Sequence, residues 1–111
     1  MPDTSSELLH GSLEALILKT LTWGPRHGYA IASWLEETTG DALKIEDGSL
    51  YPALYRLEKR GLIDAEWGTS DMGRRAKFYS LTRQGRARLR TEVKKWAAFA
   101  GAVSKVLLPS P

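Results

Sequence analysis

With 111 residues, 42% of them hydrophobic and 26% charged, the chain has the size of one globular domain and too much apolar content for disorder. The absence of cysteine excludes disulfides, thiolate metal sites and cysteine nucleophiles, and fits a reducing, cytoplasmic setting. The net charge of +3 conceals a segregation: residues 1–55 hold three Lys and Arg against eight acids, while 56–95 hold twelve against five. That pattern is what a polyanion-binding surface leaves in a sequence, or simply a set of solvated helix faces.

Residues 1–7 are polar and read as a flexible N-terminus, without the basic and apolar regions of a signal peptide. A first helix is expected over Ser12–Trp23, because Leu13, Leu16, Ile17 and Leu21 recur at helical spacing and Trp23-Gly24-Pro25 stops the pattern. Gly11 or Ser12 would cap it. After Gly28, the residues Ile31, Trp34 and Leu35 set out a second helix, with Gly40 suited to the left-handed position that ends it.

A third helix is expected from about Ser49 to Arg60, ending at Gly61, with Leu50, Leu54 and Leu57 as its buried stripe. Pro52 is tolerated where its missing N–H has no strong intrahelical partner, which places the helix start within a few residues of Ser49. Asp47 and Ser49 are the candidate N-caps. The period then changes. Ile63, Ala65 and Trp67 alternate with Asp64 and Glu66 as a half-buried strand, Gly68 to Gly73 supplies turn chemistry, and Lys77–Leu81 alternates again as the returning strand.

Thr82 is expected to cap a last helix. In it Leu89, Val93, Trp96, Ala100, Val103 and Leu107 follow alternating steps of four and three, the spacing of a coiled-coil seam. The apolar-looking stretch Trp96–Leu108 is broken by Ser104 and Lys105 and is shorter than the roughly 20 residues of a membrane span, so no membrane partner is expected. The order α-α-α-β-β-α is mainly α with a small β-hairpin. It describes a winged helix-turn-helix over residues 8–82, followed by a C-terminal dimerisation helix over 83–108.

In a winged helix the third helix enters the major groove of double-stranded DNA. Its stripe toward the core leaves Ser49, Tyr51, Pro52, Tyr55, Arg56 and Lys59 for other faces, with Arg56 and Lys59 neighbours on the surface. The plainer alternative makes Tyr51 and Tyr55 half-buried core and the two cations ordinary exposed charges. At the hairpin tip Arg74, Arg75 and Lys77 sit beside glycines, where a basic loop could follow the phosphate backbone or enter the minor groove. On the last helix, the stripe Leu89, Val93, Trp96, Ala100, Val103 and Leu107, with Phe99 beside Trp96, exceeds what so small a domain covers. A second copy would bury it in a two-fold homodimer, and packing on the chain's own first helix is expected as well.

Three segments carry a family resemblance: His27-Gly28-Tyr29-Ala30-Ile31, the run Asp47 to Ile63 (DGSLYPALYRLEKRGLI), and Tyr79 to Gly85 (YSLTRQG). Together they resemble the PadR family of transcriptional regulators from about Leu8 to the end of the chain, in its compact form with a single C-terminal helix. The resemblance implies a dimeric repressor on a pseudo-palindromic operator, released by a small effector. It also implies that Ser49, Tyr51 and Pro52 begin the groove-entering helix and that Tyr29 is the aromatic opening the second helix. Arg74, Arg75 and Lys77 match the family's basic wing only loosely, and Ala30 stands where relatives carry an acid. In drug-sensing relatives aromatics of the last helix stack on flat ligands. Trp96 and Phe99 would hold a small aromatic effector here, or only pack.

An enzyme is not expected. The two histidines, His10 and His27, are far apart and lack motif partners, and no glycine loop has the strand-to-helix context of a phosphate site. No catalytic residue, metal or cofactor is assigned, and His27 is expected to contact backbone where the second helix begins. The rival from another class is a winged helix that meets an acidic protein instead of DNA.

Overall fold

The leucine and isoleucine spacing of the N-terminal half closes three helices around one core, and the computed structural model describes this for residues 12–108. The segment 1–7 and the candidate cap Gly11 lie outside the described residues. Helix α1 (Leu13–Thr20) runs into one 3-10 turn, Leu21–Trp23, so the first helix tightens before its expected end. A two-residue strand β1 (Arg26–His27) leads into α2 (Gly28–Thr38), and a loop leads to α3 (Asp47–Lys59). The wing is β2 (Ile63–Thr69) and β3 (Arg75–Leu81), and α4 (Arg83–Leu107) completes the described chain. Ile17, Leu18, Leu21, Ile31, Leu50, Leu54, Leu57 and Ile63 are fully buried at the centre.

The sheet order is β1-β3-β2, all antiparallel. Strand β1 was not anticipated, because two residues after a proline carry no periodicity. Its pairs Arg26↔Tyr79 and His27↔Phe78 tie the start of α2 to the wing. Residues directly opposite in an antiparallel ladder share a face. One face of the hairpin therefore carries Ile63, Ala65, Trp67 and Thr69 with Arg75, Lys77, Tyr79 and Leu81. The other carries Asp64, Glu66 and Gly68 with Ala76, Phe78 and Ser80. The first face starts buried at Ile63 and Tyr79 and runs out of the core toward the tip, so Trp67, expected on the buried side of a half-buried strand, is 58% exposed.

Helix α3 begins two residues before Ser49, which corrects both candidate caps. Glu46 is the N-cap, with no side-chain cap bond, and Asp47 and Ser49 lie inside the first turn. Pro52 is thereby the sixth helical residue, and the carbonyl of Gly48 loses the N–H that position would supply. Gly48 is exposed, so water can meet that carbonyl. The helix stops in a Schellman arrangement: Leu62 N–H donates to the Leu57 carbonyl at 3.0 Å and Gly61 N–H to that of Glu58 at 3.0 Å. Gly61 has φ +74°, a conformation that costs a side chain about 1 kcal/mol or more. Helix α2 ends in the same way, with Gly40 at φ +58° as expected.

Thr82 joins three elements. Its Oγ1 accepts from Gly85 N–H at 3.0 Å as the cap of α4 and donates to the Gly61 carbonyl at 2.7 Å, while its N–H donates to the Leu62 carbonyl at 3.2 Å. Gly85 is pressed so closely on Leu62 that a Cβ there would collide with the Leu62 carbonyl oxygen. The core extends past the 82/83 boundary: Leu89 is 8% exposed and packs with the core, and α4 lies against α1. From residue 90 onward no side chain of α4 is buried.

Candidate nucleic-acid interface

The four buried positions of α3, Leu50, Ala53, Leu54 and Leu57, fix which residues look outward. With 3.6 residues per turn, Gly48, Pro52, Tyr55 and Lys59 form the ridge opposite that stripe. Tyr55 is 61% exposed, so it is surface and not core, and the Lys59 ammonium lies 5.8 Å from its ring centroid. Tyr51 sits on one flank, half-exposed, with its ring against Gly28 at the start of α2. Ser49 is exposed on the other flank.

Arg56 also lies on that second flank, and it is not an unattached cation. Its Nε donates to Glu14 Oε2 at 3.0 Å, and Arg60 Nη2 donates to Glu14 Oε1 at 2.9 Å. One carboxylate of α1 thus holds an arginine of α3 and the arginine that caps its C-terminal end. Partial burial pushes the Glu14 carboxyl up, but the Arg56 hydrogen bond and the Arg60 charge outweigh it and hold it below the usual carboxylate range. Sequence reasoning missed Glu14 because nothing local marks a partner more than forty residues away.

At the entrance of α2, His27 is the N-cap, its Nδ1 accepting from Ala30 N–H at 3.1 Å, as expected of a histidine at that place. Its ring meets Phe78 edge-on at 5.3 Å, which carries the β1–β3 connection into side-chain contact. Tyr29, the next residue but one, is largely exposed beside it. Tyr29 therefore stands in solvent at the end of α2 that β1 ties to the wing.

The wing tip is a closed turn. Ser70 N–H donates to the Arg74 carbonyl at 2.8 Å, and Ser70 Oγ accepts from Arg74 N–H at 3.3 Å. Arg74 and Arg75 are exposed, whereas Lys77 is half-buried and its Nζ lies 3.2 Å from Glu58 Oε1 on α3. That ion pair spans the place where the wing's basic face adjoins α3. The Arg75 guanidinium lies over the Trp67 ring, its central carbon 4.7 Å from the indole centroid. The hairpin therefore has a basic face, with Arg75 and Lys77, and an acidic one, with Asp64 and Glu66. Burial raises the Tyr79 hydroxyl above its ordinary range at the foot of the basic face.

The α4 stripe divides in two. Leu89 is taken up by this chain's own core, so the seam available to a second copy starts at Val93. Val93 and Leu107 are exposed, Ala100 and Val103 are half-buried, and Trp96 and Phe99 are 61% and 63% exposed with ring centroids 6.3 Å apart. Val106 and Leu108 add exposed apolar surface that the seven-residue spacing did not mark. Among the described residues no helix is long and apolar enough to cross a membrane, and no group of His, Asp and Glu has metal-site geometry.

The model of the transcriptional regulator PadR-like family matches residues 17–91, from the middle of α1 through α3 and the wing into α4. The chain belongs to the PadR family. This confirms the resemblance carried by the three sequence segments and makes the chain a transcriptional regulator with a DNA-binding winged helix. The PadR fold here is similar to that of a transcriptional regulator from Clostridium thermocellum, with a TM-score of 0.83, 26% identity, and 91% of this chain and 98% of that one covered. It is also similar to a PadR family transcriptional regulator from Eggerthella lenta, with a TM-score of 0.78, 33% identity, and 94% and 88% covered. An uncharacterised protein of Lysinibacillus sphaericus is 34% identical over 92 residues, which span 83% of this chain and 84% of that protein. The PadR match ends at residue 91, so the uncovered part of α4 lies beyond it.

Proposed function

We propose that this PadR-family regulator is a homodimeric repressor that reads a pseudo-palindromic operator and is released by a small planar effector. The observation that carries the reading is the ion pair between Glu58 and Lys77. It brings the wing's basic face beside the outward ridge of α3, so that two surfaces of suitable chemistry address one duplex. In this reading the Tyr55 hydroxyl, Lys59 and the N-terminal turn of α3 with Ser49 and Tyr51 meet base edges and phosphates. Pro52 supplies an apolar contact in the same ridge. Tyr29, Arg74, Arg75 and Lys77 hold the flanking backbone, and Arg56 contributes through whatever charge Glu14 leaves.

The dimer follows from α4. An amphipathic helix that stands off its body with Val93, Trp96 and Phe99 in water is marginal alone. The same stripe on a second copy covers it and sets two α3 helices on one side, about one DNA turn apart. Trp96 and Phe99 then lie at the subunit seam, where a flat effector would stack and alter the spacing of the two halves.

The deciding experiment is a gel shift with the DNA flanking the protein's own gene, titrated over salt. A retarded species that weakens steeply as salt rises is expected. Absence of any shift would sink the DNA reading and leave an acidic protein partner as the use of the basic face. Transcription from that promoter in the presence and absence of the protein separates repression from activation.

A further inference from the structure

We infer that Trp67 is a positioning residue for DNA binding: its indole holds the Arg75 guanidinium flat at the wing so that the in-plane N–H groups are aimed at a duplex phosphate. This inference rests on the proposed use of the wing against DNA. Trp67 is an energetic oddity. A tryptophan in the middle of a strand is 58% exposed, and the group stacked on it is the Arg75 guanidinium at 4.7 Å. The two are not directly paired. Trp67 is opposite Lys77 and Arg75 opposite Thr69, so Arg75 reaches diagonally across the ladder to the ring.

Stacking uses the face of a guanidinium and leaves its donor edge open, and that edge is what matches a phosphate in two-pronged fashion. An unsupported arginine at an exposed hairpin tip loses much rotamer freedom when it docks, whereas a stacked one has lost most of it already. The ladder also decides the direction. Trp67 and Arg75 share the hairpin face that carries Lys77, and Lys77 is bonded to α3. The stack therefore lies on the side of the wing that continues from the recognition helix. On the opposite face Gly68 lies tight against the Phe78 ring, so the strand is braced from behind at the next residue. Lysine at 75 would keep the charge and lose both the stack and the planar fork.

The test is a binding cycle with a fluorescein-labelled mixed-sequence duplex of roughly three helical turns, followed by anisotropy. Wild type, W67F, W67L, W67A, R75A and W67A/R75A are compared at one low salt concentration, with thermal melts of each. W67A and W67L should bind about three- to tenfold more weakly, and W67F within about twofold of wild type, because a ring restores the stack and an aliphatic side chain does not. In the R75A background, W67A should cost nothing further. Wild-type affinity for W67L overturns the inference, and so does an equal loss from W67A with or without Arg75, which would place the indole itself on DNA. If R75A binds as wild type does, Arg75 touches no phosphate and the inference falls while the α3 reading stands. If wild type shows no salt-sensitive binding at all, it is the DNA reading that fails. Unchanged melting of W67L with weakened binding separates positioning from mere folding of the hairpin.

Discussion

Glu14 does for α3 what a single residue seldom does: one carboxylate pairs with an arginine in the helix and with the arginine at its C-cap. Its carboxyl is held below the usual range, so the folded state binds its proton less readily than the unfolded chain. The stability it confers is therefore present above the unfolded value and is lost as pH falls through the lower folded one. Both arginines are about half in water, and screening keeps the contribution to about 1 kcal/mol or less. Glu14→Gln should lower the urea midpoint slightly at neutral pH and leave it unchanged in acid. Equal losses at both would show that packing, not charge, is what Glu14 supplies. Gly85 is the opposite kind of residue, chosen for what it lacks. The Leu62 main-chain carbonyl and a Leu81 methyl occupy the space its Cβ would take, and Leu62 cannot yield without disturbing the Thr82 junction. Gly85→Ala should cost about 3 kcal/mol or more in denaturant unfolding.

At the scale of elements, α3 shows stability exchanged for surface. Pro52 in its second turn removes one backbone hydrogen bond from the helix proposed to address DNA, yet it stands at the centre of the outward ridge. Pro52→Ala should raise the melting temperature, by about 1 kcal/mol of stability, and weaken duplex binding in the anisotropy assay. A variant that is both more stable and tighter-binding would take Pro52 out of the contact surface. The ridge itself was legible in the sequence, because Leu50, Leu54 and Leu57 fix the buried side of a helix and leave Tyr55 and Lys59 opposite. Helix order, hairpin and the Thr82 cap were legible for the same reason, since period and capping chemistry are local. What escaped was set by distance along the chain. Strand β1 exists only because β3 returns to it, Glu14 matters only because α1 crosses α3, and Trp67 is exposed because its strand outruns the core. Packing of the last helix on the first was expected, and Leu89 is the seam-spaced residue that it takes up.

For the whole molecule, the extents of 55 × 34 × 21 Å record how far α4 carries its apolar stripe from the body. If that stripe is covered by a second copy, folding and association are one equilibrium, and the melting temperature should rise with protein concentration. Val93→Asp places a charge at the first exposed seam position. It should abolish that dependence, yield a monomer in sedimentation, and leave the winged helix folded through its own core. A wild-type melting point independent of concentration over a hundredfold range would argue against the dimer.

In the proposed use of the wing against DNA, the two-faced hairpin acts before any contact is made. With acids on one face and arginine and lysine on the other, the wing carries a transverse dipole. In the field of a polyanion such a dipole feels a torque as well as a pull. A molecule approaching with Asp64 and Glu66 foremost is turned away or turned round, and one approaching with Arg75 and Lys77 foremost is drawn in already oriented. On that proposal the wing is a weathervane for the encounter, governing how many collisions are productive. Its effect belongs to the association rate, fades as salt shortens the reach of the field, and leaves the lifetime of the bound complex to the contacts themselves.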